Sequence, residues 1–176
     1  MEEDIIKAIG ILRKYNSETN MIEAKSATLG FPKKCYDTFS SFSNKYGGII
    51  IFGLDEANNF KTEGVYDVND IQKQITNLCS DSFCPPIRPD ILSLEFEEKM
   101  IVAVRIEELT QNNKPCYYKP AGIRKGSYTR VGDRDDLMTD YELNSLLTYK
   151  EHVFNDIRSD ERVELNDLDL KKVSSY

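Results

Sequence analysis

Glu23 and Lys25 stand two residues apart, and Asp55 and Glu56 follow an apolar run and a glycine. These are residue types suited to work on a phosphate. Hard divalent ions such as Mg²⁺ or Mn²⁺ take carboxylate oxygens, and acids brought to one sheet edge can hold such an ion and its activated water against a phosphodiester. Lys25 would offset charge on the phosphate. The plainer alternative is that Glu23 pairs with Lys25 or with a base on a neighbouring strand, and that Asp55 forms the turn after Gly53.

A second set of residues suits binding rather than bond breaking. Between Thr110 and Arg134 six bases, Lys114, Lys119, Arg124, Lys125, Arg130 and Arg134, stand against Asp133 alone. Tyr117, Tyr118 and Tyr128 are interleaved with them. Cations of this kind contact phosphates, and Tyr117 or Tyr128 can stack on a base or pack at a groove edge. Such a local excess stands out in a chain of 176 residues with net charge −7. That net charge argues against indiscriminate nucleic-acid binding, whose affinity comes mostly from phosphate attraction. The structural alternative is a solvated hairpin whose lysines keep its edges from pairing with other chains.

Other chemistries are disfavoured. Gly47, Gly48 and Gly53 lack the spacing of a phosphate-cradling loop, and Gly48 precedes an apolar run instead of opening a helix. Their expected role is close helix-to-strand approach and a tight turn. Cys35, Cys79, Cys84 and Cys116 form no C-x-x-C pair, and His152 is the one histidine, so reduced thiols are expected rather than a zinc site.

The elements that must position these side chains are legible in the periodicity. Glu2–Tyr15 reads as a helix with Ile5, Ile9 and Leu12 on one stripe and acids at its start. Residues 21–27 alternate with a period of two, which puts Glu23 and Lys25 on one face of a strand. Residues 33–45 carry Cys35, Phe39 and Phe42 as the inward stripe of a helix that Asn44 and the glycine pair end. Ile49–Phe52 is then a buried central strand. A short strand at 60–65, a helix at 70–79 capped by Asp67 or Asn69, and a hairpin of strands 91–97 and 100–106 follow. Residues 115–131 read as a shorter hairpin about Ala121-Gly122. Thr139 and Glu142 spell a capping box for a last helix. The order predicts an α+β fold, a mixed β-sheet of roughly five or six strands with flanking helices.

The ordered set E-x-K, F-S-N-x-x-G-G, I-I-I-F-G-L-D, Gly64, Ile87-x-Pro89, Lys114-Pro115-x-Tyr117-Tyr118 and Tyr128-x-Arg130-Val131-Gly132 resembles the Schlafen-type AlbA-like domain. The similarity runs from about Asn16 to Tyr149, and the ordered set is far more specific than any one piece. It implies a nucleic-acid (DNA)-binding domain of a transcriptional regulator, using the Lys114–Arg134 segment and Lys25. The RNA-cutting members imply a different class, a metal-dependent endoribonuclease in which Glu18, Glu23 and Asp55 hold Mg²⁺ or Mn²⁺, with Glu56 competing for the place of Asp55. A third class is a dimerisation or protein-interaction module. Because the RNA-cutting members are similar to two related lobes forming a clamp, one lobe here motivates a homodimer.

Residues 1–154 are expected to be one domain with its N-terminal helix. Residues 155–176 read as an acidic linker or the start of a following region, with further domains beyond it in similar proteins. The absence of a long apolar run or a basic-then-apolar leader predicts a cytoplasmic, non-membrane protein.

Overall fold

The computed structural model describes residues 1–160. Four strands form the central sheet: β1 (Ile22–Lys25), β2 (Gly48–Phe52), β7 (Lys99–Ile106) and β6 (Asp90–Phe96), in the order β1-β2-β7-β6. β1 runs parallel to β2, and the other pairs are antiparallel. The parallel step requires a crossover, and α2 (Tyr36–Asn44) supplies it.

Each face of this sheet has its own core. α1 (Glu2–Tyr15) lays Ile5, Ala8, Ile9 and Leu12 against Ala24, Ile51, Ile101 and Ala103. On the opposite face α2 and α3 (Val68–Asp81) bring Phe39, Phe42, Ile71 and Ile75 onto Ile50, Phe52, Val102 and Val104. Alternate residues of β2 therefore enter different cores, which is why its sequence is apolar without a break. Each fully buried Phe or Ile contributes about 1.5–3 kcal/mol relative to exposure. Gly48 permits the tight α2 approach, since a Cβ there would lie 2.6 Å from the Phe42 ring and 2.8 Å from the Met21 carbonyl oxygen.

Small ribbons complete the fold. β3 (Leu54–Asp55) pairs with β4 (Lys61–Thr62), β5 (Phe83–Cys84) with β8 (Tyr117–Tyr118), and β9 (Tyr128–Val131) with β10 (Arg134–Leu137). The strands expected to widen the sheet thus pair among themselves, leaving four in the centre. α4 (Ile123–Gly126) is a single turn, and α5 (Asp140–Asp160) closes the described chain. At its start Thr139 and Glu142 form the expected reciprocal cap, with Thr139 N–H donating to Glu142 Oε2 at 2.7 Å and Glu142 N–H to Thr139 Oγ1 at 3.2 Å.

One local reading is revised. Tyr117 does face Ser127, but the intervening chain folds as a 3₁₀ turn (Lys119–Ala121) and α4, so Ala121-Gly122 is no tight hairpin turn. The hairpin lies further on, in β9–β10, where Val131 pairs with Arg134 and Gly132 has φ 64°. α5 continues past residue 155, the expected linker boundary, and residues 161–176 lie outside the described residues.

Candidate nucleic-acid interface and the carboxylate network beneath it

β1 and α2 build the deepest polar cluster. The period of β1 turns Glu23 and Lys25 toward α2, and β9 enters from the other side with Arg130. Glu23 is 4% exposed and Arg130 is 1% exposed. Arg130 NH2 donates to Glu23 Oε2 at 2.7 Å and to the Thr19 carbonyl at 2.8 Å, while NH1 donates to Asp135 Oδ1 at 2.7 Å. Lys25 Nζ donates to the other Glu23 oxygen, Oε1. The Arg130 guanidinium also lies 5.0 Å above the Phe42 ring centroid. From α2, Thr38 Oγ1 donates to Asp135 at 2.7 Å, and Ser41 Oγ does so as well.

Burial alone would lower the pKa values of Lys25 and Arg130, but the surrounding carboxylates outweigh it and both are raised. Glu18 goes the other way. Burial first, and the neighbouring Glu23 charge second, push its carboxyl up to about 8, although its Oε1 accepts the Ala24 N–H at 2.8 Å. Burial likewise raises Asp37, with Asp135 adding to the effect.

Glu18 and Glu23 lie near enough for the Glu23 charge to act on Glu18. Asp55 does not complete a three-carboxylate cluster. Its Oδ1 caps the 3₁₀ turn Glu56–Asn58 by accepting the Ala57 N–H at 3.0 Å, and Glu56 is the acid whose charge reaches Glu18. Among the described residues no group of three or more His, Cys, Asp or Glu side chains is placed to hold a metal ion. Both Glu23 oxygens are taken by cations, so the residues as arranged do not fit a divalent ion. Burial raises the thiols of Cys35, Cys79 and Cys116 to about 12, which leaves them inert packing groups.

The basic segment divides into interior and exterior. Arg130, expected on the phosphate-facing surface, is enclosed with its two carboxylates because its β9 position faces α2 and not water. Lys114 is also buried, and its Nζ donates to Glu108 at 2.5 Å. Lys119, Arg124, Lys125 and Arg134 remain exposed. Arg124 pairs with Asp140 and Arg134 with Asp136, side chains 68% and 71% exposed, where such pairs are weak and exchange readily with another anion. Among the described residues Lys119 and Lys125 have no carboxylate within ion-pair distance.

Residues that sequence reasoning missed hold this segment in place. Asn44 Oδ1 accepts the Cys116 N–H at 2.7 Å, and its Nδ2 donates to the carbonyls of Cys116 at 2.8 Å and Tyr128 at 2.9 Å. Ser40 Oγ donates to Cys116 O at 2.8 Å and accepts Tyr128 N–H at 2.9 Å. Asn44 was read only as a helix stop. The signal was a helix too polar on its second side for full burial without partners.

A four-stranded mixed sheet sandwiched between α1 and the α2–α3 pair, with the β9–β10 ribbon pinned to α2, defines an α+β domain. Residues 18–139 match the family described as Schlafen, AlbA_2. The protein belongs to that family. Among solved structures it is similar to the N-terminal domain of a RecG-related protein from Nitrosomonas europaea, named for an ATP-dependent DNA helicase. The two share 24% identity and a TM-score of 0.57, over 76% of this chain and 92% of that one. It is also similar to the DIP2311 protein from Corynebacterium diphtheriae, with 14% identity and a TM-score of 0.51 over 78% of this chain and 27% of that one. At these identities the likeness is one of fold. No curated protein matches the chain. No helix among the described residues is long and apolar enough to cross a membrane.

Proposed function

We propose that the protein binds nucleic acid through the outer cations of the Lys114–Arg134 segment, as the DNA-binding domain of a transcriptional regulator. The observation that carries this reading is the sorting of that segment: Lys114 and Arg130 are neutralised inside, while Lys119, Arg124, Lys125 and Arg134 stay outside on one short stretch. A chain of net charge −7 attracts phosphate only where its cations are concentrated. The helicase-related name of the Nitrosomonas neighbour agrees with a nucleic-acid role. Two copies about a two-fold axis would double the cationic face and suit a palindromic duplex.

Fluorescence anisotropy with labelled duplex DNA across a salt series tests this. Wild type should lose affinity steeply with salt, and Lys119→Ala/Lys125→Ala should flatten the log–log slope by about 2. Absent or salt-independent binding, or an unchanged slope in the variant, would overturn it. Light scattering of the same sample reads the dimer.

The second reading, a metal-dependent ribonuclease, starts from the nearness of Glu18 and Glu23, whose charges interact beside Lys25, and has against it that Lys25 and Arg130 hold both Glu23 oxygens. Mg²⁺ or Mn²⁺ would reach Glu23 only after a cation left it. Structured RNA incubated with Mn²⁺ should then be cut by wild type and spared by Glu18→Gln. Cutting that survives the change belongs to another site.

A further inference from the structure

The loop between β1 and α2 presents a surface that the Lys114–Arg134 segment does not explain. Leu29 at its tip is 100% exposed, and Lys33 and Lys34 further along are exposed too. Between them Phe31 folds back onto Phe52, ring centroids 5.7 Å apart. Across from the loop Tyr36 stacks on Tyr118, with centroids 4.3 Å apart and planes at 12°. Both tyrosines are half-buried, so this stack is not sealed into the core. A cavity of about 180 Å³ is lined by Phe31, Lys33, Tyr36, Gln74, Leu78 and Tyr118. Gln74 spends its amide N–H groups on Asp70 at 2.5 Å and Tyr66 at 3.3 Å, which leaves its carbonyl oxygen to accept from a guest.

Aromatic walls, one free amide acceptor and a lysine in the lining, Lys33, are the complement of a nucleobase flanked by phosphate. The base face stacks, its edge bonds the amide, and the phosphates meet ammonium groups. In a duplex the faces of a base are already covered by its neighbours. We propose that this cavity takes one unpaired base of a single-stranded nucleic acid, with the adjoining phosphates on Lys33 and on Lys119, which directly follows Tyr118. The proposal rests on the nucleic-acid reading above and adds the strand state of the ligand and a stacking site outside the Arg130 region. A peptide aromatic could meet the same rings, but it would bring no phosphate to the lysines.

A short oligonucleotide carrying 2-aminopurine, used as a single strand and as the same sequence in duplex, tests it on the full chain. Wild type should quench the probe in the single strand and leave the duplex signal, already quenched by the neighbouring bases, unchanged. Tyr118→Leu should weaken single-strand binding by about 5- to 100-fold and leave duplex binding unchanged, while Tyr118→Phe binds as wild type. Phe31→Ala, on the loop and away from β8, should repeat the selective loss if Tyr118→Leu proves unfolded by circular dichroism. Lys119→Ala/Lys125→Ala should weaken both ligands. Binding of both ligands without quenching, or equal losses on both in the aromatic variants, overturns the stacking site and leaves nucleic-acid binding standing. Binding of neither ligand by wild type overturns both.

Discussion

Replacing Arg130 by methionine separates its two possible roles, because a buried cation and a phosphate contact predict opposite results. The change keeps an apolar side chain in the same space but removes the guanidinium from above Phe42 and strips Glu23 and Asp135 of a shared partner. Breaking a buried ion pair by removing one member costs about 3–5 kcal/mol, since the other charge stays behind. Lys25 still holds Glu23, and Thr38 and Ser41 still hold Asp135, so the lower end, about 3 kcal/mol, is expected. For a domain of this size that is a fall in Tm of about 6–12 °C. Urea titration should show a lower midpoint with unchanged slope. Adding Asp135→Asn alone should recover part of the loss, because Glu23 keeps Lys25 as its partner and no charge is then left without a cation beside Thr38 and Ser41. The salt dependence of DNA binding should stay at the wild-type slope. An Arg130→Met protein as stable as wild type, but with a slope shallower by about 1, would refute the buried assignment and make Arg130 a phosphate contact.

Glu18→Gln should stabilise the protein in alkali and not in acid. Glu18 in the fold has its pKa raised from 4.5 to about 8, so the folded state binds a proton more tightly than the unfolded chain does. Its presence costs nothing below pH 4.5, and stability is lost as pH rises through that window to about 8. A full shift would correspond to about 5 kcal/mol, which solvent screening of a partly exposed side chain reduces to about 2 kcal/mol. Calorimetry should therefore find the variant about 4–8 °C more stable at pH 9 and equal to wild type at pH 4, and a constant difference across pH would sink the argument. Gly48→Ala forces a methyl against the Phe42 ring and should cost about 1–3 kcal/mol by urea titration. A neutral result would mean that α2 can lift from β2 freely.

Periodicity carried much of the fold. α1 has the bounds its apolar stripe and terminal charges predict, and the unbroken Ile49–Phe52 run is buried in two cores. The cap at Thr139 was visible because both halves of a capping box lie within one turn of sequence. What local pattern could not supply was the set of partners across the chain. Ser40 and Asn44 look like the solvent side of an amphipathic helix, yet they are buried because Cys116 and Tyr128 bring unpaired backbone groups to them from more than seventy residues away. The pairing of Glu23 with Lys25 was readable from spacing alone, whereas its second partner, Arg130, was not.

Asp135, the other carboxylate on Arg130, follows from where the hairpin turn lies. Gly132-Asp133 is a two-residue hairpin signal, and once it is taken as the turn the register is forced: Val131 faces Arg134, and Arg130 faces Asp135. A base opposite an acid across a ribbon is a pair before any tertiary contact is considered. The ribbon packs on α2, so the Arg130–Asp135 rung turns inward and Arg134, at the turn, is left outside. The same geometry ties the two candidate sites together. α2 fixes the carboxylate network through Thr38 and Ser41, and the β9–β10 ribbon through Ser40 and Asn44. A ligand that lifts the ribbon must therefore loosen Arg130 from Glu23, and one that leaves the ribbon seated meets only the outer cations. Binding without cleavage is the behaviour expected of the seated state, in which Glu23 is fully occupied.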